Sequence, residues 1–150
     1  YVFERQIAPN LMAIHNGAIQ RSYTTELEMA LIVHKHFFKD RAEIYEDLAK
    51  TGHWPTTYVS GQSNELPLHW HDLDVSGYVV SGSTYLLDEA GQRHALSAGD
   101  KLEIPRGTLH AEGAVDDEVV YIVGTAEPGE LLSQLALLSP DDQSRLAPQG

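Results

Sequence analysis

The sequence predicts an all-β domain: a small antiparallel barrel of the jelly-roll type, with one short helix near its N-terminus and helices at its C-terminus. Three observations carry this reading. Between Pro55 and Gly124, short runs rich in β-branched and aromatic residues alternate with turn residues at close intervals, the pattern of a sandwich or barrel. The 150 residues suit one domain that buries a core without covalent staples. Helix signals fall in two stretches outside the turn-rich zone.

Residues 1–28 show no sustained period. Asn10, Asn16-Gly17 and the polar run Ser22 to Glu28 interrupt them, so they are expected to form an arm or extension. Met29 opens the first strongly patterned segment and is a candidate translation start. Met29 to Phe38, rich in Ile, Val and Phe, reads as a strand. Asp40 then begins a D-x-x-E pattern that fits a helix N-terminus. Ile44, Leu48 and the stem of Tyr45 would face inward and Gly52 would end this helix, near 41–51.

Turns are expected at Asn64-Glu65, Ser81-Gly82, Asp88 to Gly91, Ala98 to Asp100, Pro105 to Gly107 and Asp116-Asp117, all within a barrel domain at 29–126. Residues 127–150 read as a helical tail. Leu131, Leu132, Leu135 and Leu138 recur at helical spacing. Ser139-Pro140 fits an N-cap followed by proline at the first helical position.

Composition narrows the functional classes. The formal charge is -12 and the pI about 4.9; such a surface repels phosphate backbones, so no nucleic-acid partner is expected. No apolar run approaches the roughly 20 residues that span a bilayer. No basic segment followed by an apolar stretch marks a leader. A cytoplasmic protein with no membrane partner is the expectation. Without cysteine, thiol chemistry and thiolate ligands are excluded. Any metal must be held by imidazole, carboxylate, carbonyl or water.

The chemistry-bearing stretch is Leu68-His69-Trp70-His71. In a strand, alternate residues share a face, so His69 and His71 point the same way, about 6.6–6.8 Å apart along the backbone. Two imidazoles at that separation can converge on one ion. Alone, the pair is equally at home satisfying hydrogen bonds at a barrel mouth. A second stretch runs from Gly99 through Pro105 and Gly107 to His110. Its turn would fold the chain back and bring His110 to face the first pair.

The pattern G-x5-P-x-G-x2-H in that stretch resembles the second motif of the cupin superfamily, matched in full up to His110. The H-x-H with Gly82 eleven residues after His71 is similar to the first. The resemblance covers roughly Pro55 to Gly124 and implies a conserved small barrel, a metal inside it, and a homodimer. The chain departs from the family pattern at three positions. Val75 stands where a glutamate ligand is usual, Ser63 where a glycine is expected (Gly61 lies near), and Ala114 where an asparagine often closes the second motif. The carboxylate is therefore missing or comes from elsewhere. Asp72 and Asp74 are the obvious substitutes, but they are out of phase with the histidines unless a bulge turns one inward.

The other histidines read as structural. His34 and His36 make a second H-x-H with no glycine frame, expected on the polar face of an ordinary strand. Tyr78, Trp70 and Tyr58 are candidates to line a substrate pocket, against the alternative of core packing. Arg106 is weighed for an anionic substrate against solvation. The expected function is that of an enzyme acting on a small oxygen-bearing molecule. It would work through a divalent ion, with Fe, Mn, Ni or Zn all compatible with His69, His71 and His110, in dioxygenase or lyase/isomerase chemistry. The alternatives are a non-catalytic barrel that binds or senses a small molecule, and a barrel that has lost its metal.

Overall fold

A computed structural model describes residues 30–126 and 136–148. The strands are β1 (Ile32–His34), β2 (Trp54–Ser63), β3 (Val75–Ser81), β4 (Ser83–Asp88), β5 (Arg93–Ser97), β6 (Lys101–Ile104), β7 (His110–Glu112) and β8 (Val115–Thr125), with one helix, α1 (Arg41–Thr51), between β1 and β2. They form a five-stranded sheet ordered β1-β6-β3-β8-β2 and a three-stranded sheet ordered β5-β4-β7. Every pairing is antiparallel. The all-β jelly-roll expectation holds. Among the described residues, no helix is long and apolar enough to cross a membrane.

Alternation along the strands sorts residues between two cores. Val75 and Val79 of β3 join Leu86, Leu96, Leu102 and Val119 between the sheets. Tyr78 of β3 and Ile122 of β8 point the other way and pack with Phe38, Ile44 and Leu48 beneath α1, as a period of two requires. The helix forms where its caps predict. The Asp40 carboxylate accepts from the Glu43 N–H at 3.1 Å, and Gly52 ends it in the left-handed region. Ile44 and Leu48 are buried as expected, but Tyr45 is exposed. Asp47 anchors the helix to the sheet, accepting from the Tyr78 hydroxyl at 2.6 Å and the Lys101 ammonium at 2.7 Å. Burial pushes the Asp47 carboxyl up, but Lys101 and Tyr78 together hold it below its ordinary value.

Gly82 is the single residue between β3 and β4, where the chain leaves one sheet for the other. Its φ is +84°, and a Cβ there would run into the Glu118 carbonyl oxygen. Gly91, at φ +77°, has open space around it.

Three local expectations are corrected. Of the strand read at Met29 to Phe38, Met29 lies outside the described residues, and the described part is regular only at Ile32–His34. It breaks because the buried Asp100 carboxylate captures the chain, pairing with Lys35 and accepting the His36 N–H at 3.0 Å. His36 takes φ 52° as a result, so His34 and His36 do not share a strand face; His34 bonds Glu103 at 2.8 Å. Asp116 and Asp117 lie inside β8, where both are exposed; the chain turns just before, at Gly113, whose N–H bonds the Tyr85 carbonyl at 2.7 Å.

The third correction concerns the tail. Leu131, Leu132 and Leu135 lie outside the described residues. Leu138 is extended, because Trp70 takes both its N–H and its carbonyl. Ser139 caps no helix at Pro140; a 3-10 helix starts later, at Gln143–Leu146, capped by Asp142.

Asp100 makes one stability prediction. Its carboxylate also accepts the Ser97 N–H at 2.9 Å. Burial opposes its charge, yet Lys35 and the His36 and Ser97 amides hold its pKa below the usual 3.8. A carboxyl lowered by folding contributes stability above its unfolded pKa and loses it as pH falls through the folded value. Asp100→Asn is expected to cost about 2 kcal/mol at pH 7, since one buried amide loses its acceptor. Urea titrations from pH 7 to 3 should show that cost shrinking at the acid end. A cost independent of pH would contradict this account.

Candidate metal centre

Three short segments meet at one end of the barrel. His69-Trp70-His71 runs extended and bonds reciprocally with β7, His69 N–H to the His110 carbonyl and His110 N–H to the His69 carbonyl, both at 2.9 Å. On its other edge Trp70 exchanges bonds with Leu138, at 3.2 and 3.0 Å. Alternation then fixes the faces. His69 and His71 point to one side and Trp70 to the other; on β7, His110 and Glu112 share a side with Ala111 between them.

The structure brings His69, His71 and His110 together as the sequence predicts, with ring centroids 5.0, 4.5 and 5.1 Å apart. It adds Glu112. The four offered ligand atoms lie within 4.8 Å of one another. From Glu112, the Nε2 atoms stand 3.0 Å (His69), 3.7 Å (His71) and 3.5 Å (His110) away. Atoms sharing one ion at bonds of about 2.0–2.1 Å lie within about 4.2 Å, so these contacts have the right scale.

The outer ring nitrogens settle the tautomers. Nδ1 of His69 bonds the Pro67 carbonyl at 2.7 Å, that of His110 the Thr108 carbonyl at 2.8 Å, and that of His71 the Ala136 carbonyl at 3.3 Å. A carbonyl only accepts, so each Nδ1 carries a proton and each Nε2 faces inward, giving a proton to Glu112 when the ring is charged and its lone pair to an ion when the ring is neutral. Nε2 of His69 and His110 and Oε2 of Glu112 are buried without a well-formed hydrogen bond. A buried polar atom left in that state is costly unless something binds it.

Charge completes the donor set. Burial raises the Glu112 carboxyl, but the close approach of the His110, His69 and His71 ring nitrogens outweighs it and holds the group far below the carboxylate range. Burial likewise opposes charge on His69, while Glu112 raises it above its ordinary value. One carboxylate and three imidazoles fit a divalent first-row ion.

Residues 56–124 match the family model for the cupin domain. The chain carries a cupin domain. Its barrel belongs to the cupin superfamily, as the two sequence motifs implied. Solved structures that match part of the chain include a DUF861 family protein from Thermotoga maritima, 14% identical, with 64% of this chain matched to 99% of that one at a TM-score of 0.48. DMSP lyase DddQ from Ruegeria pomeroyi is 20% identical, with 59% of this chain matched to 44% of that one at 0.47. The polyketide cyclase RemF from Streptomyces resistomycificus is 23% identical, with 50% matched to 55% at 0.43. The matched regions span about half of the latter two proteins. No curated protein matches the chain.

Within this cupin, Val75 occupies the usual glutamate position and is core. The carboxylate comes instead from β7, two residues beyond the motif's last histidine. Asp72 and Asp74 do not supply it. Asp74 accepts the Arg106 N–H at 2.7 Å and Asp72 pairs with the Arg106 guanidinium, because both stay out of phase with the histidines. Sequence reading missed Glu112, although the rule that paired His69 with His71 also pairs His110 with Glu112.

A cavity of about 180 Å³ lies between the sheets, with His71 and Glu112 on its wall. Most of the remaining lining is aliphatic, including Val75, Leu86, Leu96 and Ile104. Of the aromatic candidates, Tyr58 lines it. Tyr78 does not; its fully buried ring packs under α1. Nor does Trp70, which alternation turns away from the histidines and whose indole N–H bonds the Ser139 carbonyl at 2.9 Å. Arg106 serves the fold, donating to the carbonyls of Ser144, Arg145 and Ala147.

Proposed function

We propose that this cupin barrel is a divalent-metal enzyme acting on a small oxygen-bearing molecule, with His69, His71, His110 and Glu112 as the ligands. The observation that carries the reading is the convergence of three imidazoles and one carboxylate, two of the four, His71 and Glu112, on the wall of a largely apolar cavity. When bound, an ion there supplies Lewis-acid polarisation or, if it is iron, dioxygen chemistry.

The chain's own residues do the rest. The aliphatic wall holds an apolar body and excludes water, which strengthens every polar contact inside. Tyr121 also lines the cavity. Burial, with the Glu112 charge and Tyr58 adding to it, pushes its phenol up to about 12. Tyr121 therefore keeps its proton and offers a donor to a substrate oxygen rather than a base. Dioxygenase and lyase/isomerase chemistry both fit this arrangement.

A non-catalytic binding or sensing barrel is the second reading. It is favoured by the scarcity of acid–base groups: the titratable residues lining the cavity, among those described, are Tyr58, Tyr121 and the ligands His71 and Glu112. A small-molecule partner, a second copy of the chain and a cytoplasmic location belong to the same proposal.

Elemental analysis tests the proposal, on protein purified without a histidine tag beside a variant with His69, His71 and His110 all changed to alanine. Near one ion per chain is expected in the parent and none in the variant. Iron would direct assays to oxygen uptake; zinc, nickel or manganese to lyase and isomerase substrates. No metal in the parent after reconstitution would sink the enzyme reading.

A further inference from the structure

We propose that Leu137 sets the size limit for the molecule entering the cavity, held at the opening by a strap of chain at 136–148. The chemistry of that molecule rests on the metal-enzyme reading above; the geometry of the opening does not.

The strap is fixed on both sides of Leu137. The Ala136 carbonyl takes the His71 Nδ1–H at 3.3 Å. Leu138 pairs with Trp70 through both backbone groups, and the Trp70 indole N–H reaches the Ser139 carbonyl. Further on, Arg106 donates to the carbonyls of Ser144, Arg145 and Ala147 while its guanidinium lies 5.5 Å over the Trp70 ring. Anchored at its neighbours, Leu137 has little freedom to swing away.

Leu137 lines the cavity yet is 49% exposed, and Tyr58 lines it at 53% exposed. A side chain that meets both cavity and solvent stands at the opening. Tyr58 is set in the long β2–β8 pairing, opposite Tyr121 in register. Leu137 is the strap's own contribution to the wall.

The volume gives the class. A cavity of about 150 Å³ in another protein admits benzene, and this one measures about 180 Å³. A single ring or a short branched chain fits, its oxygen end towards His71 and Glu112 and its carbon body against the aliphatic wall. Two fused rings exceed it unless the opening widens.

The test uses full-length, metal-free parent, Leu137→Ala and Leu137→Trp proteins, titrated with phenol and 2-naphthol by amide NMR. The alanine variant is expected to bind 2-naphthol at least five-fold more tightly, with phenol changing less than two-fold. The tryptophan variant is expected to lose phenol affinity at least ten-fold. No phenol binding by the parent, undiminished binding by the tryptophan variant, or equal shifts of both probes in the alanine variant would overturn the proposal. Cobalt(II) absorption of the same proteins reads the metal site separately, with His69→Ala as its control. Size selection without cobalt uptake leaves Leu137 as the gate and removes the metal reading; cobalt uptake without size selection does the reverse.

Discussion

Glu112→Gln should lower the affinity for a divalent ion about 100-fold or more and leave the barrel folded. Glutamine keeps the volume but removes the one negative charge among three neutral imidazoles, and residues that merely orient ligands already cost about 10–100-fold when changed. Chelator competition on the parent and variant measures the difference, with far-UV circular dichroism as the check on folding. Asp74→Asn is the matched control. Asp74 lies on Arg106, not in the cluster, so its loss should move metal affinity less than two-fold. Parent-like affinity in the Glu112 variant would remove this residue from the site.

Gly82→Ala should be the most destabilising single methyl that can be added at the turn glycines with positive φ among the described residues. Two effects add there. The backbone sits at φ +84°, which costs a residue with a Cβ about 1–2 kcal/mol. The new Cβ also meets the carbonyl of Glu118, backbone of a central strand that cannot simply swing aside. A loss of about 4 kcal/mol or more is expected, in the range reserved for a few named mechanisms. Gly91→Ala separates the terms, since φ is +77° there with nothing within 4 Å; about 1 kcal/mol is its expected cost. Urea midpoints for the two variants should differ widely. Equal losses would mean that the clash is relieved by movement of β8.

The residues that were legible in the sequence are those whose placement follows from local rules. Period-two alternation placed His69 and His71 on one face, and the Pro105–Gly107 turn returned His110 to meet them. Glu112 was within reach of the same rule, but it lies beyond the last histidine of the motif, whereas Asp72 and Asp74 stand just before the usual glutamate position. Trp70 could have been set aside by the alternation that paired its neighbours. Tyr78 could not, because both faces of β3 are buried and only the position of α1 decides which one meets the cavity. Leucines at helical spacing carry no sign that one of them, Leu138, will give its backbone to Trp70. That partner lies 68 residues away in sequence, and no local pattern announces it.

The reciprocal bonds between His69 and His110 have a further consequence. The proposed ligands His69 and His110 stand on backbone already paired with each other, and each of the three imidazoles is already turned by a carbonyl. The barrel is therefore expected to fold with these side chains in place before any ion binds, unlike small domains that fold only around theirs. Occupancy would act by mass action on a structure that exists without it. Exchange of one ion for another then becomes a matter of supply and affinity, and the chain need not unfold to change its metal.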